Sequence, residues 1–108
     1  MVEPRDVWAR RGEYQILDVR EPYEWDAGHI EGAIHIPLGD VMSGGGERRL
    51  DGSRAVVAVC RVGNRSELAT LMLQARGFRA ENMEGGMQAW DAAGLPFVSS
   101  SGEPGTVA

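Results

Sequence analysis

The chain has 108 residues, of which 43% are hydrophobic and 25% charged, an ordinary balance for one soluble domain built around a single core. Its net charge of −5, with no basic stripe to offset it, argues against nucleic-acid binding, and no apolar stretch reaches the length of a membrane span. A single cysteine excludes an internal disulfide, and neither it nor the two isolated histidines, His29 and His35, has metal-ligand spacing.

In chain order, Pro4 to Arg11 reads as a short helix with Trp8 on its inner face and Gly12 as its stop. Tyr14 to Val19 reads as a strand whose end carries Asp18 and Arg20, where an α/β sheet presents functional groups. Pro22 to Trp25 fits one helical turn ended by Gly28, Ala33 to Ile36 a short strand stopped by Pro37, and Leu38 to Met42 a short helix. The run Ser43-Gly44-Gly45-Gly46 is a loop and not a phosphate cradle, because it lacks the Gly-Lys-Ser/Thr ending.

Ala55-Val56-Val57-Ala58-Val59 is a continuous, β-branched apolar run, the mark of a strand buried on both faces. A helix follows over 66–76, with Leu68, Leu71, Met72 and Ala75 on one face and Gly77 as its cap. Arg79 to Met83 suggests a further strand; Glu84-Gly85-Gly86 then turns into a helix that runs through Trp90 and closes at Gly94 and Pro96. Residues 1–98 are expected to form one domain, and the Ser-, Gly- and Pro-rich 99–108 a disordered tail. The order of elements predicts an α/β fold with a mainly parallel sheet.

Cys60 stands where the buried strand stops and the next helix begins. Main-chain N–H groups and the helix dipole converge on such a position and favour the thiolate, which is the nucleophilic form. Lowering a thiol pKa by ~1.5 units takes only about 2 kcal/mol. The flanking Arg61 and Arg65 add positive charge, and the sequence Arg61-Val62-Gly63-Asn64-Arg65-Ser66 is a poor surrounding for a purely structural core cysteine.

Three segments together resemble the rhodanese domain, the sulfurtransferase fold: Leu17 to Trp25 with Gly28-His29-Ile30-Glu31-Gly32-Ala33; Cys60 to Ser66; and Glu84-Gly85-Gly86-Met87-Gln88-Ala89-Trp90. The resemblance implies a three-layer α/β sandwich with four or five strands. It implies that Cys60 takes a sulfane sulfur from a donor such as thiosulfate and passes it, as a persulfide, to cyanide or a thiol. The loop residues Arg61, Val62, Gly63, Asn64, Arg65 and Ser66 would bind the substrate, with Asp18 and Arg20 bracing the loop and no metal or cofactor needed. His29 is not required as a base, and Trp25 and Trp90 are packing residues.

Two alternatives stand beside this reading. One is a sulfur carrier or regulatory module that acts with a protein partner. The other, a phosphatase or arsenate reductase on the same fold, fits less well, because only four residues separate Cys60 from Arg65 where the related phosphatases have five. The chain also starts close to its first helix, which leaves Met1-Val2-Glu3 as the only stub for an edge strand. The N-terminus has no signal-peptide core, so the cytoplasm is the expected compartment. Arginine supplies all eleven basic residues, a compositional pointer to a GC-rich bacterial genome.

Overall fold

The apolar run Ala55-Val56-Val57-Ala58-Val59 forms β3 (Ala55–Val59), and it pairs in parallel with β1 (Tyr14–Asp18) and β4 (Ala80–Asn82). A two-residue strand, β2 (Ile34–His35), completes an all-parallel sheet in the order β2-β1-β3-β4. These features come from a computed structural model that describes residues 1–108. Register matters here. Tyr14 is opposite Ala55 and Asp18 opposite Val59, so β1 and β3 end level with each other. Cys60 and the Asp18–Arg20 segment therefore emerge along the same carboxyl edge.

Side chains on a strand alternate between faces, and the core divides accordingly. Val56, Ala58 and Cys60 join Leu17 and Val19 on one face, packed against α3 (Leu38–Ser43) and α4 (Asn64–Ala75). Val57 and Val59 join Ile16 on the other, with Val7 of α1 (Pro4–Ala9) and Met87 and Trp90 of α5 (Gly86–Ala92). Trp90 is fully buried and donates its indole N–H to Pro96 O at 3.0 Å. No helix is long and apolar enough to cross a membrane.

The N-terminal stub does form an edge. Val2 bridges in parallel to Met83, its N–H donating to Asn82 O at 3.0 Å and its carbonyl accepting from Glu84 N at 2.7 Å. Helix α2 spans Pro22–Ala27, longer than the single turn expected, and is closed at its start by a capping box between Glu21 and Glu24.

Helix α4 differs from expectation in its inner face. It begins at Asn64, and its buried residues are Ser66, Ala69, Thr70 and Leu73, while Leu68 and Leu71 are 52% and 57% exposed. Apolar spacing alone chose the wrong side because the inner face carries two hydroxyls. Ser66 serves Cys60, and Thr70 donates to Ser66 O at 2.8 Å.

Residues 99–108 also differ from the disordered tail expected of their composition. Ser100 N donates to Asp26 O at 3.0 Å and Thr106 N to Ala27 O at 2.9 Å, and Val107 packs against the second core cluster. Backbone hydrogen bonds to the C-terminal end of α2, which composition does not register, hold the segment in place. Deleting 99–108 should therefore lower the thermal midpoint by about 4 °C or more, the shift that ~1 kcal/mol produces in a domain of this size. An unchanged midpoint by calorimetry would show that these contacts contribute nothing.

Candidate active site

Cys60 follows the last residue of β3, and only Arg61, Val62 and Gly63 intervene before α4 starts at Asn64. So short a turn needs a residue in the left-handed region. Gly63 supplies it with φ +111°, which aims its N–H at Cys60 Sγ at 3.0 Å. The Ser66 hydroxyl, in the first turn of the helix, lies 3.3 Å from the same sulfur. The carbonyl oxygens point the other way. Cys60 O accepts from Met87 N at 2.8 Å and Arg61 O from Gln88 N at 3.0 Å, so the start of α5 takes both.

That approach explains the second glycine of Glu84-Gly85-Gly86. A Cβ on Gly86 would lie 2.5 Å from Cys60 O and 2.6 Å from the Arg61 carbonyl carbon. Any side chain there would push α5 off the loop.

Burial acts on the Cys60 thiol first and pushes its pKa up. The Ser66 hydroxyl and the main-chain N–H groups of Ser66, Gly63 and Val62 outweigh it, so the thiol sits below its ordinary value. Cys60 has no exposed surface and belongs to the core cluster. The sequence argument that its neighbours make a poor core surrounding therefore fails on burial, while the downward shift of its pKa separates this cysteine from an inert one. Asn64, exposed at the surface, has its Oδ1 4.0 Å from Sγ.

Residues 3–93 match the family described as "Rhodanese-like domain". The chain belongs to the rhodanese-like domain family. It is 38% identical over 93 residues to a probable adenylyltransferase/sulfurtransferase, MoeZ, of Mycobacterium tuberculosis; the match takes in 82% of this chain but only 24% of that protein. It is also 38% identical over 84 residues to the putative sulfurtransferase YtwF of Bacillus subtilis, covering 78% of this chain and 80% of the other. The crystal structure of a rhodanese-related protein from Thermoplasma volcanium superposes with a TM-score of 0.84 at 32% identity, covering 90% of this chain and 95% of that one.

Within this rhodanese-like domain the two loop arginines are used differently. Arg65 forms a two-pronged ion pair with Glu24, Nη1 to Oε1 at 2.7 Å and Nη2 to Oε2 at 2.8 Å. Arg61 is exposed and has no ion-pair partner. Arg65 holds the Glu24 carboxyl below the usual carboxylate range against the opposing effect of burial, and Glu24 raises Arg65 in turn.

Asp18 and Arg20 make no hydrogen bond or ion pair to residues 61–66. They pair with each other, Arg20 Nη2 to Asp18 Oδ2 at 2.7 Å, and Arg20 Nη2 also donates to Gly28 O at 2.7 Å. Both are fully buried, and they secure the β1–α2 turn. The brace to the Cys60 loop comes instead from Glu24, on whose carboxyl Arg20 exerts a lesser charge effect. Both histidines make local bonds, His29 Nδ1 with Trp25 O and His35 Nε2 with Arg20 O, each at 2.8 Å.

Sequence reading missed Glu24 and Asn82. Asn82, buried at the end of β4, donates Nδ2 to Gly63 O at 2.9 Å and accepts the Ser66 hydroxyl on Oδ1. The available signal was a lone amide at an inward strand position, between Ala80 and Met83, where an unpaired polar group is costly.

Two outcomes follow from this geometry. Ser66→Ala should raise the Cys60 pKa by about 1 unit, the scale of a hydrogen bond to a charged group, measured as the pH dependence of iodoacetamide alkylation. An unmoved midpoint would remove Ser66 from thiol activation. Glu24→Gln should cost about 1–3 kcal/mol at pH 7, since it leaves Arg65 without its partner. Because the folded pKa of Glu24 is depressed, its contribution is complete above its unfolded value near ~4.3 and is lost as pH falls through the folded value. The difference between the two proteins should shrink below about pH 4, and a gap that stays constant from pH 7 to pH 3 would contradict the ion-pair account.

Proposed function

We propose that this domain is a sulfurtransferase whose Cys60 takes a sulfane sulfur from thiosulfate and passes it to cyanide or a thiol. The observation that carries the reading is the set of donors on Cys60 Sγ, the Gly63 N–H at 3.0 Å and the Ser66 hydroxyl at 3.3 Å. The Cys60 thiolate attacks the outer sulfur of thiosulfate; a sulfur–sulfur bond forms to Cys60, and sulfite leaves with the electron pair of the broken bond. The resulting persulfide is anionic, and the loop N–H groups stabilise it as they do the thiolate. An acceptor thiolate or cyanide then attacks the outer sulfur and releases the Cys60 thiolate, a two-step scheme of covalent catalysis. Arg61 attracts the anionic donor, while Arg65 holds the loop to α2.

The four-residue spacing between Cys60 and Arg65 supports sulfur over phosphoryl chemistry, since the tight loop turns its donors onto Sγ rather than around a tetrahedral oxyanion. A compartment that keeps thiols reduced, the cytoplasm, suits a lone cysteine. A second reading, a sulfur carrier that loads a protein acceptor, has one observation in its favour. Val62 on the loop and Leu68 and Leu71 on the outer face of α4 are exposed apolar side chains.

After incubation with thiosulfate, the intact mass of the native chain should rise by one sulfur atom, and Cys60→Ser should show neither the added mass nor turnover with cyanide. A Cys60→Ser protein that retains turnover would end the proposal. Loading without turnover to cyanide or small thiols would move the assignment to the carrier.

A further inference from the structure

We propose that the cavity at the opposite edge of the sheet from Cys60 is a second ligand site, one that takes a flat organic anion: an aromatic ring bearing a sulfonate, carboxylate or phosphate. The cavity encloses about 750 Å³, within the size range of small-molecule sites, and lies at the amino ends of β1 and β3, beside Tyr14 and Arg54. Cys60 lies beyond the carboxyl end of β3, so the two sites are separated by the length of the strand.

Its lining is amphipathic. Trp8, Tyr14, Ile30 and Phe97 give an apolar and aromatic wall, while Arg11, Arg49 and Arg54 stand among its polar residues. In a protein of net charge −5 none of these three arginines has an ion-pair partner. Each is held by main-chain carbonyls instead: Arg11 Nη1 donates to Trp8 O at 2.7 Å, Arg49 Nη1 to His35 O at 2.6 Å and Arg54 Nη2 to Tyr14 O at 2.8 Å. Carbonyl anchoring fixes each guanidinium without neutralising it and leaves further N–H groups for a ligand. Arg11 also lies over the Trp8 ring, 3.8 Å from its centroid.

Two carboxylates share the lining, Glu31 and Asp51. Asp51 is occupied by its own turn, its Oδ1 accepting from Ser53 N at 2.9 Å and Ser53 Oγ at 2.6 Å. Three guanidiniums against two carboxylates still leave the lining with one net positive charge in an acidic protein. An apolar molecule would forgo the guanidinium donors, and inorganic phosphate would forgo the aromatic wall. A ring with an anionic substituent satisfies both.

The probe is 8-anilinonaphthalene-1-sulfonate, titrated by fluorescence and mapped by amide chemical shifts, with uncharged N-phenyl-1-naphthylamine as the control. One sulfonate should bind per chain, shifting Gly32, Asp51 and Phe97 and leaving 61–66 unmoved. Arg11→Gln and Arg54→Gln should each weaken it at least about tenfold, with sulfur loading of Cys60 unchanged. Should one variant fail to fold, the other and the map on the native chain decide. Shifts confined to 61–66, equal affinity for the uncharged control, undiminished binding in a folded variant, or no saturable binding would each overturn the proposal.

Discussion

The site depends on the two-sidedness of one stretch of main chain. Between Cys60 and Gly63 the carbonyls of Cys60 and Arg61 turn toward the start of α5, and the Gly63 N–H turns toward Sγ. A buried thiol without such donors would rise in pKa and become inert. Here each donor to a charged acceptor is worth roughly 1.5–3 kcal/mol, enough in sum to reverse the effect of burial. The orientation holds only while α5 can approach, and Gly86 permits that approach. The glycine that looks like a turn residue in the sequence is thus a requirement of the thiol.

Around that stretch the buried polar side chains are paired. Gly63 O is taken by Asn82, and the Ser66 hydroxyl has three acceptors in range: Cys60 Sγ, Asn82 Oδ1 and Gly63 O. It has one proton to give. A thiolate is a far better acceptor than a thiol, and charge-assisted bonds are the strong ones. Ionisation of Cys60 therefore draws the hydroxyl toward sulfur, while Asn82 and Gly63 keep it satisfied when the sulfur is neutral. The Ser66 hydroxyl is thus satisfied in both states of Cys60, at the expense of Asn82 Oδ1 whenever its proton goes to sulfur, which explains a hydroxyl on the inner face of α4.

Much of this was legible in the sequence, and the failures share a cause. The β-branched run before Cys60, the glycine-bearing turn and the order of elements depend on local chemistry, and local chemistry is what a sequence displays. The inner face of α4 was misjudged because Ser66 and Thr70 hold positions that spacing assigns to leucines, a case of the site overriding the apolar pattern. Asp18 and Arg20 lie at the same sheet edge as Cys60, yet the two close on each other because an adjacent opposite charge is nearer than the loop. Glu24 has no distinguishing signal within its short helix; only the tertiary fold shows that α2 lays it beside Arg65. The tail was read from its composition, and its hydrogen bonds are made by backbone that composition does not describe.

The unequal use of the two arginines bears on how an acidic protein would receive the anionic donor proposed above. A net charge of −5 repels an anion at long range, but over a Debye length of about 8 Å at physiological salt only nearby charges count. Arg65 and Glu24 nearly cancel at the distance of an approaching donor, so the pair contributes rigidity rather than field. What remains is Arg61, exposed and unpaired, beside a loop whose N–H groups face inward to the sulfur. On the proposed reaction, capture and stabilisation are divided: a side chain at the surface would meet the anion, and main-chain dipoles below it would hold the charge once that charge resides on Cys60. Fixed dipoles suit the second task, because they cost no reorganisation when the charge develops. An exposed, unpaired cation suits the first, because it leaves the sulfur free to be passed on.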